Sequence, residues 1–170
     1  MRLGSAGVGV AHCPSSNARL AAGTCRVTDL EAAGVPVGLG VDGVASNEVG
    51  GLFPELRQSL YAARLRAMDA SAFMPADALR LGTTGGARCL GVADRLGSLD
   101  PGMVADLAVW PGDDIADVVD PLAGLVLGPD RRVRHLYVAG NPVVQDGQLL
   151  GCDLAAAHAD LASRARRLWD

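Results

Sequence analysis

The chain has 170 residues, with 15 basic and 19 acidic side chains, a net charge of −4, and basic residues that are arginines scattered along its length. That balance argues against a nucleic-acid or membrane surface, and Gly, Asp, Arg and Pro interrupt every apolar segment before it reaches bilayer length. Cys13, Cys25, Cys89 and Cys152 form no CxxC pair and follow no secretory signal, so reduced thiols and a cytoplasmic location are expected.

Met1 to Gly7 reads as the tail of a helix ended by Gly7, and Val8 to Ala11 as a short buried strand running into a polar loop, His12 to Asn17. Val27, Leu30, Glu31 and Ala33 fit an amphipathic helix closed by Gly34, and a second apolar strand, Val35 to Val41, follows. Both strands are apolar at nearly every position, the pattern of parallel strands covered on two faces. Leu52, Leu56, Leu60, Ala63 and Leu65 mark a long helix over 52–68, with Arg57, Gln58, Arg64 and Arg66 on its other face. Pro75 suits the first turn of a further helix carrying Ala78, Leu79 and Leu81, which Thr83-Thr84-Gly85-Gly86 should break before a short helix ending at Gly91.

The character then changes. Leu99-Asp100-Pro101-Gly102 is a turn signal, Asp106 to Trp110 a strand, and Val133 to Ala139 with Pro142 to Gln145 a hairpin turning at Gly140-Asn141. A last helix opens at Asp153 as cap, with Leu154, His158, Leu161, Ala165 and Leu168 on one stripe, where His158 should be partly buried, and Arg164, Arg166 and Arg167 near its end.

The stretch VPVGLGVDGVASNE, Val35 to Glu48, spells G-x-G-x-x-G at Gly38, Gly40 and Gly43. A dinucleotide-binding turn needs those glycines between a strand and a helix, whereas Gly38 and Gly40 fall inside the strand, and the Asp42 carboxylate would repel a pyrophosphate. Asp42 is instead either the catalytic carboxylate at the mouth of a barrel strand or the cap of a turn with Ser46 or Asn47, and spacing leaves both open. His12 is a candidate ligand beside Cys13, with loop-backbone support as the simpler account. A Cys13–His12 dyad is disfavoured because neighbours on a strand face opposite sides. Cys25, Cys89 and Cys152 read as small buried apolar groups, and His135 as a surface or sandwich residue.

The segments AHCPSSNARLAAG, GVPVGLGVDGVASNE, LRLGTTGGARCLG and RLGSLDPGMVADLAVW, in that order, closely resemble the C-terminal part of metal-dependent amidohydrolases. Within that superfamily the chain resembles the cytosine deaminase, guanine deaminase and chlorotriazine hydrolase branch, most of all the 8-oxoguanine deaminases. The resemblance implies an α/β fold: the C-terminal portion of a (β/α)8 barrel plus the returning strands of a small β-sandwich. Residues 1–98 would hold the last two barrel strands and their helices, 99–151 the sandwich segment and 152–170 a C-terminal helix. Gly7 to Asn17 would be the seventh strand and its loop, and Val35 to Asp42 the eighth strand.

It further implies that Asp42 binds the catalytic Zn²⁺ or Fe²⁺ and takes a proton from the attacking water. Ser46, Asn47 and Asn17 would lie near a small heterocyclic substrate, and His12 behind the site. Family members also bring an H-x-H pair, further histidines and a glutamate acid, none of which this chain offers: its histidines stand only at 12, 135 and 158. The resemblance is therefore to a fragment, from a truncated gene, a late start or a split protein, inactive by itself, with an N-terminal half supplied elsewhere and a homo-oligomer left open.

Overall fold

A computed structural model describes residues 2–169; Met1, where the expected first helix begins, and Asp170, the end of the expected last segment, lie outside the described residues. The chain divides into two compact units. One comprises the chain up to Met103 together with Gly112–Arg131, and the other Val104–Pro111 with the chain from Arg132 onward.

In the first unit, α1 (Arg2–Ser5) ends at Gly7, whose φ of 64° allows the reversal into β1 (Val10–His12). After α2 (Pro14–Arg19), α3 (Val27–Ala32) closes at Gly34 with a φ of 75°, and Val35 N–H reaches back to the Leu30 carbonyl at 3.0 Å, the Schellman arrangement. The chain then enters β2 (Val37–Leu39), which pairs in parallel with β1 through Val10 with Val37, Ala11 with Gly38 and His12 with Leu39. Both strands are shorter than their apolar runs: Val8 lies outside β1 and is 45% exposed, and Ala11 is exposed as well. Among the described residues the parallel pair has no further strand beside it, so burial on two faces, which the composition implies, does not extend along β1.

The helix α4 (Leu52–Ala67) buries Glu55, Leu56, Ser59 and Leu60, the i, i+1, i+4, i+5 face of one stripe, while Leu65 is exposed. It packs against α5 (Pro75–Arg80), whose first turn is fixed by Pro75 and by the Asp77 carboxylate accepting the Met74 N–H at 2.9 Å. The expected break at Thr83–Gly86 is absent. A π-helical turn, Leu81–Gly85, carries α5 into α6 (Gly86–Cys89) and lies on β2. Glycine permits that contact: a Cβ on Gly85 would stand 2.4 Å from the Val37 carbonyl oxygen, and one on Gly38 would stand 2.8 Å from the Gly86 Cα. The core of the unit is Val27, Leu30, Val35, Val37, Leu56, Leu60, Phe73, Ala78, Leu81 and Val126.

Val126 belongs to α7 (Pro121–Leu127), a helix in the segment that the sequence groups with the sandwich. Its caps are visible in retrospect: the Asp120 side chain accepts from Ala123 N–H at 2.9 Å, and Pro121 occupies the first turn. The segment Gly112–Arg131 thus packs with the helices of the first unit, tied down by Arg57, which donates to the Gly128 carbonyl at 2.6 Å and pairs with Asp130 at 3.0 Å.

The second unit contains an antiparallel sheet in the order β3 (Leu107–Val109), β4 (His135–Val138), β5 (Asn141–Gln145), β6 (Gln148–Leu149). The β4–β5 reversal falls at Ala139 and Gly140, with φ of 49° and 78°, one residue before the expected position; Asp146-Gly147 makes the next turn in the same way. Positive φ at both central residues is the type I′ geometry that matches strand twist. The final helix, α8 (Leu154–Trp169), is capped by Asp153, whose Oδ1 accepts the Ala156 N–H at 3.0 Å. Its apolar stripe is exposed, Leu161 at 65% and His158 included, so His158 is not the partly buried residue that the stripe suggests. Cys152 is exposed too, whereas Cys25 and Cys89 are half-buried.

Candidate functional site

Asp42 follows β2 by three residues and sits at a φ of 63°, a left-handed backbone conformation that aspartate tolerates better than most side chains. The strand therefore ends before Asp42, and the carboxylate is presented by a turn. That turn aims it at the first turn of α2. Oδ2 accepts the Ser16 hydroxyl at 2.6 Å and has the Ser46 hydroxyl at 3.0 Å; Oδ1 accepts the Gly43 N–H at 2.8 Å. Ser46 Oγ is also 3.2 Å from the Gly43 carbonyl, so its single hydrogen has two acceptors within reach and Ser16 is the firmer donor. These donors hold the Asp42 carboxyl below the usual aspartate range, Ser16 first, then the Gly43 amide, then Ser46.

Ser16→Ala should move the Asp42 titration midpoint up toward the ordinary aspartate value, read by carboxyl-carbon NMR. A depressed folded pKa adds stability above the unfolded value, near about 4, and that stability is lost as pH falls through the lower folded value. The stability difference between wild type and Ser16→Ala should therefore shrink as the solution is acidified below that point.

Beneath Asp42 lies a buried polar layer. Asn47 is 5% exposed, and its amide Nδ2 donates to the Val41 carbonyl at 3.0 Å and to Glu55 Oε1 at 2.9 Å. Both hydrogens of that amide are spent inside the protein, where they support the loop. Ser46 is half-buried beside Asp42, and Asn17 is half-buried on α2, one residue beyond Ser16. Arg19 and Glu48 form an ion pair between the end of α2 and the loop after Asp42.

His12 is 3% exposed and its Nδ1 has no hydrogen-bond partner among the described residues. Burial pushes the imidazole below its ordinary pKa, with the Glu55 charge opposing. The Cys13 thiol is pushed up, chiefly by burial and then by the Asp42 charge. A raised thiol is a poor nucleophile, which works against a Cys13–His12 pair.

The sequence reading did not single out Ser16 or Glu55. Ser16 stands inside a quoted motif without any mark of its own. Glu55 carried a signal: it shares the buried face of α4 with Leu56, Ser59 and Leu60, where a carboxylate is costly unless hydrogen-bonded.

A catalytic zinc usually takes three protein ligands and a water. Asp42 can offer one, because Oδ1 accepts only the Gly43 amide, but no group of three or more His, Cys, Asp or Glu is placed to hold a metal ion among the described residues. The residues present fit one share of such a site and not the whole. No described helix is long and apolar enough to cross a membrane.

The amidohydrolase family model matches residues 2–143. The chain is 48% identical over 157 residues to an 8-oxoguanine deaminase of Pseudomonas aeruginosa, covering 91% of this chain and 34% of that protein. It is 38% identical to an isoxanthopterin deaminase from an unknown prokaryotic organism, over 98% of this chain and 37% of that one. Among solved structures, an adenosine deaminase from Xanthomonas campestris with bound zinc matches at a TM-score of 0.91 and 36% identity, over 97% of this chain and 38% of the other. The atrazine chlorohydrolase of Arthrobacter aurescens, complexed with zinc, matches at 0.86 and 32%, over 94% and 36%. The chain thus spans about a third of the length of these relatives, and its fold is that of the C-terminal portion of their barrel with returning sandwich strands. On the family match across most of its length, the chain belongs to the amidohydrolase family.

Proposed function

We propose that this chain furnishes the carboxylate, Asp42, of a hydrolase that removes an amino group from a purine-like heterocycle such as 8-oxoguanine. The observation that carries this reading is the Asp42 turn: a carboxylate at a left-handed φ beyond the end of a parallel strand, gripped by Ser16 and Gly43, with acceptor capacity left on Oδ1. The 48% identity to an 8-oxoguanine deaminase supports the ring class.

In the reaction, water adds to the ring carbon that bears the amino group, the C–N bond breaks, and ammonia leaves. A bound zinc or ferrous ion supplies Lewis acidity, which brings the pKa of water down to about 7. Asp42 would offer one ligand to that ion, and its carboxylate would accept a proton from the attacking water and pass it to the departing nitrogen. Ser46 and Asn17 face the ring, and His12 backs the loop from beneath. The remaining ligands come from a segment that this chain does not include. A second reading, hydrolysis of a chlorotriazine, is favoured only by the structural likeness to the Arthrobacter enzyme.

The test is to fuse the N-terminal part of the Pseudomonas deaminase, which this chain does not span, ahead of residue 1. The fused protein is expected to bind about one catalytic zinc and to release ammonia from 8-oxoguanine. The 170-residue chain alone is expected to bind no stoichiometric zinc at micromolar metal and to release none. Turnover by the chain alone would overturn the shared site, and a zinc-loaded fusion inert toward amino-substituted purines would overturn the ring class.

A further inference from the structure

We propose that Glu55 is a positioning residue that sets Asp42 by holding both of the segments from which its serine partners come, the first turn of α2 and the loop after β2. The inference rests on the reading of Asp42 given above and adds a residue to it. Glu55 is 1% exposed, in the first turn of α4, where the amino end of a helix favours negative charge. A carboxylate buried this deeply is tolerated when its oxygens are hydrogen-bonded, and the two oxygens divide their bonds between two separate segments. Oε2 accepts the Ser15 N–H at 3.0 Å, and Oε1 accepts Asn47 Nδ2 at 2.9 Å.

Ser15 precedes Ser16, and Asn47 follows Ser46; Ser16 and Ser46 are the two hydroxyls on Asp42 Oδ2, at 2.6 and 3.0 Å. Each oxygen of Glu55 thus anchors the neighbour of one serine. Asn47 also ties the Val41 carbonyl at 3.0 Å, directly before Asp42. One buried side chain fixes the first turn of α2, the loop after β2 and, through Asn47, the residue leading into Asp42, which sits at a backbone angle that needs outside support, φ 63°.

Glu55→Gln preserves shape but places an NH2 where one oxygen accepted, so in either orientation either the first turn of α2 or the loop after β2 loses its anchor. In the 170-residue chain, amide hydrogen exchange at Ser15 or the side-chain amide shift of Asn47 should report which of the two is released. In the fused enzyme, kcat should fall about 10- to 100-fold, with KM within about twofold and zinc binding weakened by a similar factor, as for residues that orient a metal ligand. A role in stability alone would lower the melting midpoint and leave kcat unchanged well below it.

Asn47→Ser, which cuts the Oε1 link and the tie to the Val41 carbonyl but leaves the Ser15 anchor on Oε2, should give a fall of the same kind and serves if Glu55→Gln does not fold. Folded variants with wild-type kcat and zinc binding overturn the proposal. An active Asp42→Asn enzyme would instead remove the reading of Asp42, while the Ser15 and Asn47 signals would still report on the Glu55 anchor.

Discussion

Asp42→Asn in the fused enzyme is expected to cut ammonia release from 8-oxoguanine by roughly 10²- to 10⁴-fold, the range for a positioned proton-transfer group, with the melting midpoint little changed. Asparagine has the same shape, accepts from the Gly43 amide through its single carbonyl oxygen, donates from its NH2 to the Ser16 hydroxyl oxygen in place of the bond that Oδ2 accepted, and tolerates the left-handed φ of 63° at this position. It carries no charge to offer a metal and cannot take up the water's proton. The donors lower the Asp42 pKa below that of an ordinary aspartate, which makes the carboxylate a weaker base toward ordinary water while leaving it an anion suited to a ligand. In the proposed reaction, proton transfer to Asp42 would be efficient only from water that a metal had acidified. The loss in Asp42→Asn should appear in kcat and in zinc content together. A variant that keeps kcat within tenfold of wild type would show that Asp42 is a turn residue and nothing more.

Where the sequence carried a periodic signal, the fold was legible. The helices α3, α4 and α8, the Pro75 start of α5 and the β4–β5 hairpin all follow from apolar spacing, caps and turn residues. The stretch Pro14–Arg19 reads as a loop because serine and asparagine compete with helical backbone bonds. It is helical where Ser15 and Ser16 are engaged by Glu55 and Asp42, tertiary partners that no local window contains. The apolar stripe of α8 shows the opposite failure. Leu154, Leu161 and Leu168 have the right spacing, yet they are exposed, since periodicity identifies a face and is silent about what covers it.

The site divides in the same way. Asp42 stands out in the sequence as a lone carboxylate among apolar residues and glycines, although spacing left it open between a turn cap and a reactive group. The family resemblance implied a place for Asn47 near the substrate, and only the bonds to Val41 and Glu55 show that its NH2 group turns inward. Glu55 lies on the face that the leucines of α4 define, but a carboxylate there has no meaning until its donors from two distant segments are seen.

Gly85→Ala sets helix propensity against packing, and the outcome follows from their sizes. Gly85 has a φ of −62°, fully compatible with alanine, and alanine in a helix is favoured over glycine by about 1 kcal/mol. Local preference alone therefore predicts a stabilised protein. The added Cβ would stand 2.4 Å from the Val37 carbonyl oxygen and 3.0 Å from that of Arg80, both main-chain atoms with no rotamer to change. Relief requires the π-helical turn to lift off β2, and such overpacking costs about 1–3 kcal/mol. At a contact this short with backbone, the cost should exceed the propensity gain, so Gly85→Ala is expected to lower the urea midpoint. Gly112→Ala is the control: a Cβ there meets nothing closer than Ile115 at 3.9 Å, and its midpoint should stay near that of wild type. Because β2 leads through Gly40 and Val41 into Asp42, displacing Val37 should also disturb the carboxylate, so fused Gly85→Ala should lose kcat at temperatures where it remains folded. If Gly85→Ala raises the midpoint instead, the strand and the π-helical turn are not held at the contact distance that makes glycine necessary.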